Sequence, residues 1–226
     1  MNPTERRIKS AVEGGRQLRL RAYTYSQRLT ERLEFILTQL LHQYSQPHLY
    51  DCLHSCMVET ITNAMRANLK FLYLNERRIN LQDEDAYLRG LSDFKQEKRI
   101  KEWQDIYKQK IRENRLYVEV NIDHSIDGMR IETINNLPLL PIDEKRIRSK
   151  FAHAMQVDSL ADFYETHQDD TEGEGLGFVL SVMYLRSLQL DPALFRIGVI
   201  QEKTVARLEI PFTAHFRSVR NSNTPA

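Results

Sequence analysis

Cysteine is almost missing from this sequence. Cys52 and Cys56 are the only two in 226 residues, which excludes a disulfide scaffold and a four-cysteine zinc site. Neither sign of charge dominates. Lys and Arg number 32 against 31 Asp and Glu, so no global pull toward nucleic acid or an anionic membrane is expected. No apolar run approaches the roughly 20 residues that span a bilayer, and the opening MNPTERRIKS holds no apolar stretch that could act as a secretory signal. A cytoplasmic location, without a membrane partner, is the expectation. There is no G-x-S-x-G nucleophile elbow, no Gly-Lys-Ser/Thr after a glycine run, no justifiable Cys/His catalytic pair, no internal repeat and no low-complexity tract. What is present is ordinary, with 41% hydrophobic and 28% charged residues, in a chain long enough to bury a real core.

Hydrophobic periodicity divides the chain. Residues 1–26 are polar and arginine-rich, and residues 6–32 hold eight Lys or Arg against two Glu. This predicts a basic flexible arm, either simply solvated or docking on an acidic partner or nucleic acid. Leu29, Leu33, Ile36, Leu37, Leu40, Leu41 and Tyr44 recur at helical spacing, giving an N-terminal helix within 27–48 that Pro47 breaks. A second helix is expected over about 49–70, and FLYL (71–74) as a short strand. Residues 76–115 are dense in charge with sparse apolar positions, which reads as a helical insertion with Trp103 as its packing anchor. From 116 the period changes to two. LYVEVNI (116–122), the Asp127–Gly128 turn and MRIETIN (129–135) form a hairpin signal. Helices follow over 143–155 and 176–188, then strands over 195–200 and 204–212, and a frayed tail within 215–226. The order predicts an α+β chain, a two-layer sandwich of a mostly antiparallel sheet with helices on one face.

Three places could carry chemistry. In ETITNAMRAN (59–68), Glu59 and Asn63 lie four apart and share a helical face. Asparagine is a poor helix-interior residue, so the pair is either a wet flank or a hard-oxygen site suited to Mg²⁺. In DDTEGEGLGF (169–178), Gly173, Gly175 and Gly177 run into an amphipathic helix. That is either a flexible cap or a backbone cradle for phosphate. In INNLPLLPIDEKRI (134–147), Asn135 and Asn136 stand at a strand end, in a plain turn or as amides facing a nucleobase edge. Cys52 and Cys56 read as two packed thiols.

The order and spacing of these segments resemble the Bergerat-fold ATP-binding domain, the superfamily of gyrase, heat-shock chaperone ATPases, histidine kinases, mismatch-repair proteins and anti-sigma-factor serine kinases. The likeness covers roughly 49–212 apart from the insertion, and is nearest to the histidine-kinase catalytic domain. It implies a Bergerat-type sandwich that binds ATP and Mg²⁺ and belongs to bacterial signalling. Glu59 then resembles the family's catalytic carboxylate, which orients or deprotonates the acceptor, and Asn63 its metal ligand, with Arg66 near the phosphates. Gly173, Gly175, Leu176 and Gly177 match the phosphate-contacting glycine box, and residues 156–172 the lid. Asn135, Asn136 and Thr204, the last seven residues before Pro211, fall near the adenine. The first glycine box departs from the family pattern D-x-G-x-G, because N-N-L-P-L stands there and Asn135 takes the aspartate's place. An asparagine oxygen still accepts the adenine amino proton, without the added strength of a charge. None of the seven histidines precedes Asp or Glu, so self-phosphorylation on histidine is not expected. The expected activity is Mg-ATP binding with phosphoryl transfer to a partner protein. The alternative is a non-catalytic interaction module, gated by nucleotide or free of it.

Overall fold

The computed structural model describes residues 1–97, 101–156 and 176–219, without the side chains of 101–104 and 176. The elements run α1 (Pro3–Glu13), β1 (Leu18–Ala22), α2 (Gln27–Gln43), α3 (Tyr50–Glu76), α4 (Glu84–Glu97) and α5 (Lys101–Glu113). They continue β2 (Val118–Ser125), β3 (Gly128–Asn135), α6 (Pro141–Ala154), α7 (Leu176–Ser187), β4 (Phe195–Ile200) and β5 (Lys203–Pro211). The strands form one antiparallel sheet in the order β1-β2-β3-β5-β4. The chain is thus α+β, a two-layer sandwich. Among the described residues no helix is long and apolar enough to cross a membrane.

The register follows from the alternation of side chains. Ile122 stands opposite Ile131, and Ile131 opposite Leu208, all buried under the helices. On the other face Arg21 stands opposite Glu119, Arg130 opposite Glu209 and Glu132 opposite Arg207. These pairs are bonded at 2.7, 3.2 and 2.7 Å. A slip of one residue would bury the ion pairs and expose the aliphatics, so both faces specify the same pairing.

Two expectations are corrected. The N-terminal arm is folded. Asn2 and Glu5 make a capping box around Pro3, Ile8 and Val12 are buried, and β1 extends the sheet along β2. The signals were there in N-P-T-E and in L-R-L-R-A, beneath the arginines. His124 ties this segment down. Its Nε2 lies 3.0 Å from the Arg16 carbonyl and its Nδ1 2.7 Å from the Tyr44 hydroxyl. A carbonyl only accepts, so Nε2 carries the proton and Nδ1 accepts from Tyr44. Burial lowers the His124 pKa, which favours this neutral form.

The second correction concerns residues 71–74, which continue α3 instead of forming a strand. Leu72, Tyr73 and Leu74 are all buried because the insertion packs there. With Tyr87, Leu91 and Phe94 of α4 and Tyr107 and Ile111 of α5, they form a second core apart from the one beneath the sheet. A helix clad on several sides reads as a continuous apolar run. The Trp103 side chain lies outside the described residues.

One residue of α3 conflicts with its surroundings. Asn68 is 1% exposed and neither amide atom has a hydrogen-bond partner. A buried unpaired polar group costs about 1–3 kcal/mol. Asn68→Leu should therefore stabilise the chain by about 1 kcal/mol, raising the melting temperature by about 2–4 °C. A lower melting temperature in a thermal scan would contradict this.

Candidate functional site

A cleft opens between α3 and the sheet. Along α3, Thr60, Asn63, Ala64, Ala67, Lys70 and Phe71 line it, a stripe at helical spacing. The two alanines stand where larger side chains would close the space. Thr133 and Asn135 of β3, Thr204 and Ala206 of β5 and Ile197 of β4 form the floor, and the 137–140 loop, Ile147 of α6 and Phe178 of α7 the remaining walls. The cleft spans about 680 Å³ when the space open to solvent is counted. It continues into a second, more open compartment, which adds Arg66, Arg146 and Lys150 over Leu91 and Phe94 of the insertion. One half of the cleft is mainly apolar and the other is rimmed by cations.

The polar groups of the apolar half are few. Asn135 is 2% exposed, and its Nδ2 donates to the Ala64 carbonyl at 3.3 Å. Its Oδ1 is buried without a partner. Thr60 donates its hydroxyl to the Met57 carbonyl and pairs with the Thr133 hydroxyl, each at 3.0 Å. Thr204 pins the loop, since its hydroxyl and its backbone N–H both reach the Leu137 carbonyl at 2.8 Å.

At the cationic end three α3 side chains bond in a row. Asn63 Nδ2 donates to Glu59 Oε1 at 2.5 Å, and Arg66 Nη1 donates to Asn63 Oδ1 at 2.9 Å. Glu59 faces α7. The place a Cβ would occupy at Gly177 coincides with the Glu59 carboxyl group, so only glycine permits this approach. A carboxylate beside the first turn of a helix is also favoured by the helix dipole. Cys52 and Cys56 are free and buried on the same helix.

Of the residues singled out by sequence, Asn63, Asn135 and Thr204 line the apolar half and Asn63 and Arg66 the cationic half. Glu59 stands behind Asn63, against Gly177. Asn136 is not among the lining residues. Its Oδ1 accepts from the Tyr117 N–H at 2.7 Å and its Nδ2 donates to the Arg115 carbonyl at 3.0 Å, closing the entry to the hairpin. Gly173, Gly175, the lid segment from 157 onward and the Leu176 side chain lie outside the described residues. Sequence reasoning passed over Lys70, Asp143, Arg146 and Lys150. Lys70, seven positions after Asn63, could have been found by continuing the helical stripe.

No protein-family profile matches the chain, and no solved structure does. An uncharacterized protein of Treponema pallidum (strain Nichols) is 29% identical over 207 residues. That likeness covers 91% of this chain and 40% of the relative, so the chain spans about two fifths of the relative's length. Chemically, the cleft offers an apolar compartment with the unpaired Asn135 oxygen in its floor, beside a rim that carries Arg66, Arg146 and Lys150.

Proposed function

We propose that this chain is an ATP-binding domain of the Bergerat, histidine-kinase-like type, that it acts in bacterial signalling, and that it transfers phosphoryl to a partner protein. The observation that carries the reading is the buried, unpartnered Oδ1 of Asn135 at the floor of a cavity shared with Asn63 and Thr204. These residues come from three separate elements. A small shift of its neighbours would bring this acceptor to a ligand, and it suits the exocyclic amino group of adenine, because a ligand donor would remove the cost of an unpaired polar group. The cations at the other end suit a triphosphate.

For Mg²⁺ the donor chemistry fits. Asn63 Oδ1 and the Glu59 carboxylate are hard oxygens, and Mg²⁺ usually takes one or two protein ligands and completes its shell with water and phosphate oxygens. Among the described residues no cluster of three or more His, Cys, Asp or Glu could hold a metal alone. When bound, the ion would neutralise charge developing on the transferred phosphoryl group. The chain's own work is positioning. Asn63 orients Glu59, Glu59 orients or deprotonates the acceptor, and Arg66 turns from Asn63 to the phosphates.

A second reading, nucleotide binding without turnover, has its own support. Arg66 occupies the Asn63 oxygen, Glu59 is engaged at the start of α7, and Leu137 and Leu139 stand where the family pattern has its glycines. Thermal melts with Mg-ATP and Mg-GTP test the binding common to both. Ligand at a hundred times its Kd should stabilise by about 2.7 kcal/mol, and GTP, with a carbonyl where adenine has an amino group, should do far less. Unshifted melts at millimolar Mg-ATP would remove both readings. Phosphate release or partner phosphorylation lost in Glu59→Gln would decide for turnover.

A further inference from the structure

Where the apolar and cationic halves of the cleft meet, three elements are joined by one cluster. Lys70 Nζ of α3 lies 2.6 Å from Asp143 Oδ2 of α6 and 2.7 Å from the Tyr87 hydroxyl of α4. The Tyr87 hydroxyl donates to the other carboxylate oxygen, Asp143 Oδ1, at 2.7 Å. Lys70 and Asp143 border both halves of the cleft. Tyr87 is fully buried in the insertion's core, and its hydroxyl meets two residues of the cleft's lining. The insertion is thereby bonded to the rim of the site through the Tyr87 hydroxyl.

We propose that Lys70 is a switchable anion-binding residue, and that a polyphosphate entering the cleft draws it from Asp143 and so unlatches Tyr87 and α4 from α6. The proposal rests on the nucleotide reading of the site. Asp143 plays the part of the anion for Lys70. A polyphosphate placed among Arg66, Arg146 and Lys150 would compete for that ammonium and repel the Asp143 carboxylate. Once Asp143 moves, the Tyr87 hydroxyl loses its 2.7 Å acceptor, a cost for a buried polar group. α3 belongs to both cores, with Ile61 in the one beneath the sheet and Leu72, Tyr73 and Leu74 in the second, whereas the buried residues of α4 and α5 belong to the second. The insertion, held by one core, is then the part that yields. Ligand and latch oppose each other, so the coupling is reciprocal and loosening the latch must tighten binding.

The test combines hydrogen exchange with affinity measurement, using inorganic tripolyphosphate and Mg-ATP as probes. Exchange is followed on peptides covering 84–97 and 101–113, with 118–135 as the reference. In the wild type, saturating probe should raise α4 exchange several-fold while the hairpin stays protected. Tyr87→Phe should show the raised exchange without ligand, no further rise on binding, and affinity about 3–10-fold tighter. Asp143→Asn, which keeps the shape of the side chain, should behave the same way. Probe binding that leaves α4 exchange unchanged, or Tyr87→Phe with unchanged affinity, overturns this inference alone. A wild type that binds neither probe overturns the nucleotide reading with it.

Discussion

Asn63→Asp is expected to lower Mg-ATP affinity at least a hundred-fold while the chain stays folded. The substitution keeps the shape of the side chain but turns its NH₂ donor into an acceptor. The 2.5 Å bond to Glu59 then becomes a contact between two carboxylates. Arg66, already 2.9 Å from the Asn63 oxygen, would be held by a full charge and kept from the phosphates. Each loss is that of a charge-assisted hydrogen bond, about 1.5–3 kcal/mol, and together they exceed the roughly 2.7 kcal/mol of a hundred-fold change. The altered group stands on the wall of an open cleft and its tighter hold on Arg66 offsets part of the lost Glu59 bond, so the ligand-free melting temperature should fall by only a few degrees. Titration calorimetry beside a ligand-free melt checks both halves. Affinity within three-fold of wild type would remove Asn63 from the site.

Phe94→Ala should cost about 3–5 kcal/mol, the usual range for emptying a large aromatic site, and the damage should be local. Phe94 is 1% exposed and meets Tyr73 edge to face, with ring centroids 5.4 Å apart. Tyr73 is also covered by the Arg77 guanidinium, 3.6 Å from its ring centroid. The same cluster holds the ends of the insertion. Arg77 pairs with Glu97 at 2.7 Å, and Lys110 with Glu76 at 2.7 Å. Since this core is separate from the one beneath the sheet, the insertion should lose protection as a unit. Amide exchange should reach the unprotected rate over 84–113 while β2, β3 and β5 remain slow. Uniform loss across the sheet would show instead that the two cores unfold together. Phe94 also lines the cationic half of the cleft, so ligand affinity should fall alongside.

Several features of this protein were determined by its sequence alone. The alternation in 116–135 and 195–212 places the hairpins, because a period of two admits a single buried face. The leucine and isoleucine stripe of α2 and the spacing of Glu59 and Asn63 likewise follow from helix geometry. Other features were decided only by the tertiary structure. Whether FLYL is strand or helix depends on what packs around it, and the insertion that clads it lies up to forty residues further on. The N-terminal arm hid a capping box and a strand behind its arginines, since charge is a weaker guide to order than an available sheet edge. Asn135 and Asn136 are chemically identical in the sequence. The strand's alternation turns one into the cleft and leaves the other to bond the hairpin's entry. Lys70, Tyr87 and Asp143 come from three elements that share no motif. Contacts between residues far apart in the chain leave no periodic trace in it, and the cleft is made of such contacts.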